Sequence, residues 1–226
     1  MNLKNWLRYR VFADTTQHGE FGVVRRLLRA GFPRTVVDVG ANDGFGASNS
    51  YPFIMRGWRA LLIEPHPEAF KRARLLHASR PHVTCLNVAC AERRDERPLF
   101  YGTDGDEGTL ATLSREDNPH TRSSRTNRSV TVRVETLADL LRAHQWEADF
   151  GLLSIDTEGL DLQVLQGLDL TVWRPRVIIT EDYYSNEEKF ALLKRRDYVL
   201  HSHAGSNTIW VSRRPLGAHW PPRAIA

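Results

Sequence analysis

Two groups of acidic residues, each at the end of an apolar run, are the parts of this sequence best suited to chemistry. Residues 36–44 read Val-Val-Asp-Val-Gly-Ala-Asn-Asp-Gly, an apolar run holding Asp38 that enters a turn with Gly40, Asn42 and Gly44. Glycine in such a turn lets the backbone approach a ligand closely. Glu64 ends the next apolar run, twenty residues after Gly44. An acid at that place in a nucleotide-binding βαβ unit hydrogen-bonds ribose hydroxyls. Turn and acid together fit an adenosine-type ligand. The glycines are not spaced G-x-G-x-x-G, which counts against a pyrophosphate cradle and so against a nicotinamide-dependent oxidoreductase.

The second group is Ser154-Ile155-Asp156-Thr157-Glu158-Gly159, with Glu181-Asp182 after a later apolar run. Strand alternation orients Ser154 and Asp156 alike. Both groups then fall at the carboxyl ends of strands, where open α/β sheets bind ligands. Converging carboxylates can act as a general base toward a hydroxyl, with Asp156 the first candidate and Glu181 the second. They can also hold a hard divalent cation such as magnesium, with Asp156, Glu181 and Asp182 as ligands. Glu158 has a simpler alternative role at the start of the following helix. His201 and His203 share one side of a strand and could serve an acceptor pocket or face solvent. Arg115, Arg122, Arg125, Arg128 and Arg133 lie in a polar stretch. Of these, Arg122, Arg125 and Arg128 are the candidates for holding an anionic group on a substrate.

These residues need a scaffold of alternating elements. Runs at 35–39, 60–63, 82–88, 150–155 and 177–180 read as buried strands, and 67–79, 160–168 and 187–196 as helices. Strands alternating with helices imply a mostly parallel α/β sheet with helices on both faces. Residues 198–203 and 208–212 read as closing strands joined by the short link 204–207, which permits only an antiparallel pairing at the sheet edge. Residues 99–133 break the rhythm as a polar, irregular insertion, around which 98–101 and 130–134 can pair. The expected organisation is a helical N-terminal segment 1–34 packed on the domain, a domain at 35–213 and a tail at 214–226. Leu3, Trp6, Leu7 and Val11 suit a short amphipathic helix at the start of that first segment.

The segments DVGANDG, SNSYPFIMRGWRALLIEPHPEAF and LLSIDTEGLDLQVLQGL, in this order, resemble the FkbM-type methyltransferases. Gln17-His18-Gly19-Glu20 is similar to a Q-x-G-E segment upstream of the first strand in related members. The resemblance implies a class I, Rossmann-like fold and an enzyme dependent on S-adenosyl-L-methionine. It implies methyl transfer, usually to an oxygen, with a sugar or other small hydroxylated metabolite, or a glycan, as acceptor. It places Asp38, Gly40 and Asn42 on the methionine side of the cofactor, counts Gly44 among the cofactor-binding residues, and has Ser48 and Asn49 bracing the turn or touching the cofactor. Glu64 would hold the ribose, Pro65 would cover the adenine edge, and Asn87 and Val88 would lie near the adenine. The acids after the later strands resemble, in position only, the magnesium site of catechol-type O-methyltransferases.

Composition narrows the classes. The 226 residues carry a net charge of +4, and among 31 basic residues lysine is rare. The charge is sorted along the chain: residues 1–34 and 115–133 are net positive, and the remainder is net negative. A nucleic-acid methyltransferase or binding module is the alternative from another class. No aromatic residues interleave with the arginines, so a base-stacking platform is missing and nucleic acid is disfavoured. No apolar run is long enough to span a bilayer. The N-terminus has no signal-peptide pattern. Cys85 and Cys90 make no disulfide framework. Together these give a cytoplasmic expectation.

Overall fold

The computed structural model describes residues 14–28, 32–102, 111–113, 128–182 and 186–214. Leu3, Trp6, Leu7 and Val11, the tail beyond 214, and Arg115, Arg122 and Arg125 lie outside them. No helix among the described residues is long and apolar enough to cross a membrane.

The central sheet comprises β1 (Thr35–Val39), β2 (Arg59–Ile63), β3 (Val83–Leu86), β7 (Asp149–Ile155), β8 (Arg174–Glu181), β9 (Tyr198–Ala204) and β10 (Asn207–Ser212). Their order is β3-β2-β1-β7-β8-β10-β9. The first five strands of that order run parallel. β10 is antiparallel to both β8 and β9, so the reversed strand lies one place in from this edge. The expected closing pair is present, joined by the turn at Gly205.

Both faces of the sheet are covered, which is why its strands read as nearly continuous apolar runs. On one face Val37, Val39, Leu61, Ile63, Leu153 and Ile155 pack with α4 (Leu137–Ala143), α5 (Asp161–Gln166) and α6 (Glu187–Arg195). On the other, Val36, Ala60, Leu62, Leu152, Val177 and Ile179 pack with α1 (Glu20–Leu27) and α2 (Tyr51–Ile54). Trp58 belongs to this second core, against Phe53. The crossover helix α3 (Pro67–Leu76) starts on His66, whose ring accepts from the Ala69 amide, and proline at its first position suits a helix start.

The described part of the insertion is regular structure. β5 (Asp95–Tyr101) and β6 (Arg128–Glu135) form an antiparallel pair that extends well beyond the expected 98–101 and 130–134. β4 (Ala89–Cys90) pairs with β6 to complete a three-stranded sheet. Leu99, Val132 and Val134 pack under it with Ala89 and Ala91. Within the insertion, Thr112 exchanges two backbone hydrogen bonds with Phe100, at 2.8 and 2.9 Å. Cys85 and Cys90 are free thiols, as expected.

Candidate active site

Strand register builds the site. Val39 pairs with Ile63 on one side and with Ile155 on the other, and Ile155 pairs with Thr180. The next residues along these four strands are Gly40, Glu64, Asp156 and Glu181. Parallel in-register strands therefore deliver two glycine-turn and ribose-type residues and two carboxylates of the second group to one edge. There they line a cavity of about 570 Å³.

The β1 turn is fixed by close backbone approach. Gly40 has φ +85°, and a Cβ there would lie 1.8 Å from the Asp156 carbonyl oxygen. Only glycine fits. Asn42, Ala47 and Glu158, all lining the cavity, also have positive φ values of 49°, 55° and 53°. Such strain in residues other than glycine concentrates at ligand sites.

Asp38 is buried and accepts a hydrogen bond from the Ser50 hydroxyl at 2.5 Å. Burial pushes its carboxyl up to about 6, against the lowering effect of hydrogen bonds from Ser50 and Ser154. Ser154 in turn accepts from Asn49 Nδ2 at 3.2 Å. Asn49 Oδ1 is buried with no hydrogen-bond partner among the described residues. Buried acceptors are rarely left so. A donor from a ligand beside Asp38 would satisfy it.

Glu64 accepts from the Asn42 and His66 amides, each at 2.8 Å. Burial pushes its carboxyl up to about 7, the two amides pulling the other way. Its oxygens keep lone pairs for further donors. Pro65, Val88 and Leu99 wall the cavity nearby.

The carboxylates of the second group crowd together. Ligand-type oxygens of Asp156, Glu158 and Glu181 lie within 4.8 Å of one another. Burial, and then the charges of Glu181, Asp161 and Asp38, hold Asp156 well above the usual carboxylate range. Burial also raises Glu181, with repulsion from Glu158 and Asp161 next and Lys189 opposing it. Asp156 and Glu181 hydrogen-bond to each other through their side chains.

Other expected residues fall elsewhere. Gly44 packs its backbone against His77 rather than the cavity. Asn87 braces the wall by donating to the Glu64 and Pro65 carbonyls, both at 2.9 Å. Ser48 and Asn49 line the cavity. Asp182 does not line it: its carboxylate lies 3.6 Å from the buried Lys189 ammonium, and Glu158 takes the place expected for it. His201 and His203 are exposed on β9, at the sheet edge away from the cavity lining. Arg128 is exposed at the start of β6.

The sequence reading missed the supports of the acidic group. Asp161 is buried and accepts from the Thr157 amide and hydroxyl and from the Glu181 amide, at 3.1, 2.7 and 2.9 Å. It thereby ties the loops after β7 and β8 together. Lys189, 3% exposed, donates to the Glu181 carbonyl and lies 4.0 Å from Asp161. The available signal was its spacing of four from Leu193 on an amphipathic helix, which puts a lysine on the buried face.

A mostly parallel sheet of this strand order, with one reversed strand and a ligand-sized cavity over its central strand ends, is the class I methyltransferase fold. The methyltransferase FkbM domain family matches residues 38–205, and the chain belongs to that family. Among solved structures, precorrin-6y C5,15-methyltransferase from Geobacter metallireducens GS-15 is similar, at 12% identity and a TM-score of 0.40, over 84% of this chain and 85% of that one. A likeness that distant has no bearing on substrate. No curated protein matches the chain in sequence.

Proposed function

We propose that this methyltransferase uses S-adenosyl-L-methionine and methylates a hydroxyl of a sugar or other small hydroxylated metabolite. One observation carries the reading: an acid suited to ribose (Glu64) and a half-buried carboxylate pair (Asp156 and Glu181) flank the Gly40 turn in a single cavity. The cavity residues fit the cofactor. Asp38 and the unpartnered Asn49 Oδ1 suit its ammonium, Glu64 its ribose hydroxyls, and Pro65, Val88 and Leu99 its adenine. When bound, the cofactor supplies a methyl group already activated by a sulfonium. Asp156 in its ionised form would accept the proton of the attacking hydroxyl and become neutral, and Glu181 would hydrogen-bond the resulting carboxyl. The cavity walls would supply the alignment of acceptor and cofactor, a proximity effect.

The acidic lining argues against a nucleic-acid substrate, because a phosphate backbone seeks cationic residues. A thermal-shift comparison tests the cofactor assignment. S-adenosylhomocysteine is expected to raise the melting midpoint and NAD is not, because only a ligand that binds the folded state stabilises it. A rise with NAD alone would reverse the assignment.

The affinity for S-adenosylhomocysteine is expected to depend on pH in a set direction. Asp38 and Glu64 stand at about 6 and about 7, above their ordinary values. Ammonium and hydroxyl donors favour the ionised carboxylates, so binding lowers both pKa values and releases protons. Affinity should then strengthen as pH rises through that window and level off above it. Calorimetry at several pH values checks this; affinity that falls over the same interval would refute it.

The same three carboxylates, Asp156, Glu158 and Glu181, have the oxygen donors and spacing that suit magnesium. The base assignment expects activity to survive treatment with EDTA. Loss on chelation with recovery on added Mg²⁺ would assign these residues to a cation instead.

A further inference from the structure

The segment 14–20 lies across the carboxyl end of the sheet as an anchored strap. At one end the Thr15 hydroxyl donates to the Ser48 carbonyl at 2.9 Å, on the turn after β1. Thr16 caps this end by donating to Asp14 from both its amide and its hydroxyl, at 3.1 and 2.6 Å. At the other end Glu20 is 0% exposed. It accepts from the His18 amide at 2.9 Å and from Asn207 Nδ2 at 2.7 Å. Asn207 is the register partner of Glu181 in the β8–β10 pairing. The His18 ring rests on the Gly205 backbone, where a Cβ would come within 2.2 Å of it.

Sheet order fixes what the strap crosses. One anchor is Ser48, on the turn after β1 and next to Asn49, which donates to Ser154 of β7; the other is on β10 beside the end of β8, and β7 lies between β1 and β8. The strap therefore passes over the end of β7, which bears Asp156. Glu64 ends β2, on the other side of β1. Between the buried anchors, Gln17 is exposed and lines the cavity. A buried acid such as Glu20 is costly unless its hydrogen bonds are met, and here they fix a turn whose outward product is one amide. That amide can donate and accept at once and adds no charge beside the acidic group.

We propose that Gln17 is a specificity-determining residue that hydrogen-bonds a second hydroxyl of the acceptor, next to the one methylated. The substrate class is thereby a compound with adjacent hydroxyls. This rests on the O-methyltransferase reading above. The probes are methyl glycosides and their monodeoxy analogues with methyl-labelled S-adenosylmethionine, and S-adenosylhomocysteine for cofactor affinity. Wild type is expected to favour the diol over one monodeoxy analogue by about five- to tenfold in kcat/KM, the worth of one hydrogen bond. Gln17→Ala should erase that preference by raising KM for the diol, with S-adenosylhomocysteine affinity unchanged. Gln17→Asn should recover it in part. Retained preference in Gln17→Ala, or a matching loss of cofactor affinity, would overturn the inference while leaving O-methylation intact. Wild-type transfer of label to no hydroxylated compound would overturn the O-methyltransferase reading and this inference with it.

Discussion

Replacing Asp156 with asparagine is expected to lower kcat by at least about a hundredfold, the usual contribution of a positioned general base. Affinity for S-adenosylhomocysteine should stay within about twofold, because the residues suited to the ribose and ammonium lie on β1, β2 and their turns. Stability separates this from a folding defect. Asp156 sits well above its ordinary carboxylate value because burial and neighbouring acids penalise its charged form. A group raised in this way binds its proton more tightly in the folded chain than in the unfolded one. Its contribution to stability therefore declines as pH rises from the ordinary carboxylate range through its folded value. A neutral asparagine escapes that loss and can still hydrogen-bond Glu181. The melting midpoint of Asp156→Asn near pH 8 should thus equal or exceed that of wild type. Low activity with a lowered midpoint would mean that Asp156 supports the fold rather than the chemistry.

Gly40→Ala should remove cofactor binding and destabilise the chain by at least about 3 kcal/mol, within the range of the larger single-residue effects. Two costs combine. The left-handed backbone at φ +85° disfavours any side chain by roughly 1–2 kcal/mol. The added carbon would also sit 1.8 Å from the Asp156 carbonyl oxygen, so the β1 turn and the loop after β7 must separate. Gly57→Ala is the internal control. Gly57 has φ +76° with nothing within 4 Å of an added Cβ. It should show the conformational cost alone, about 1–2 kcal/mol, with cofactor affinity intact. Equal effects at both positions, read by thermal melts and S-adenosylhomocysteine titration, would mean that the Gly40–Asp156 approach does not organise the site.

The legible parts of this protein were those with local signatures. Thr35–Val39 read as a strand because its valines make a short apolar run around Asp38, and the sheet buries both of its faces. Asp38, Glu64 and Asp156 were legible as strand-end acids because each stands at or next to the end of an apolar run, and the register brings those ends to one edge. The supports were less legible, because they depend on how the loops after β7 and β8 pack against each other and against α6. The spacing of Lys189 from Leu193 puts it on the buried face of its helix, but nothing in residues 187–195 says that its partner there is the Glu181 carbonyl. Nor does Asp182, adjacent to Glu181, reveal that Lys189 draws it away from the cavity while Glu158, at φ +53°, joins the carboxylates. The two histidines were expected on one side of their strand, but the β9–β10 register shifts at His201, and only the strand order shows that β9 lies outside β10 and far from the central strands.

The central claim is that the cavity delivers a methyl group to a hydroxyl beside Asp156. The most direct measurement follows label from methyl-labelled S-adenosylmethionine into the small molecules of a cell extract, with wild type and with Asp156→Asn. Label in an O-methyl ether of a hydroxylated compound, formed by wild type and lost in the variant, is the predicted result. Label on nitrogen, on carbon or in nucleic acid, or equal labelling by the variant, would contradict it.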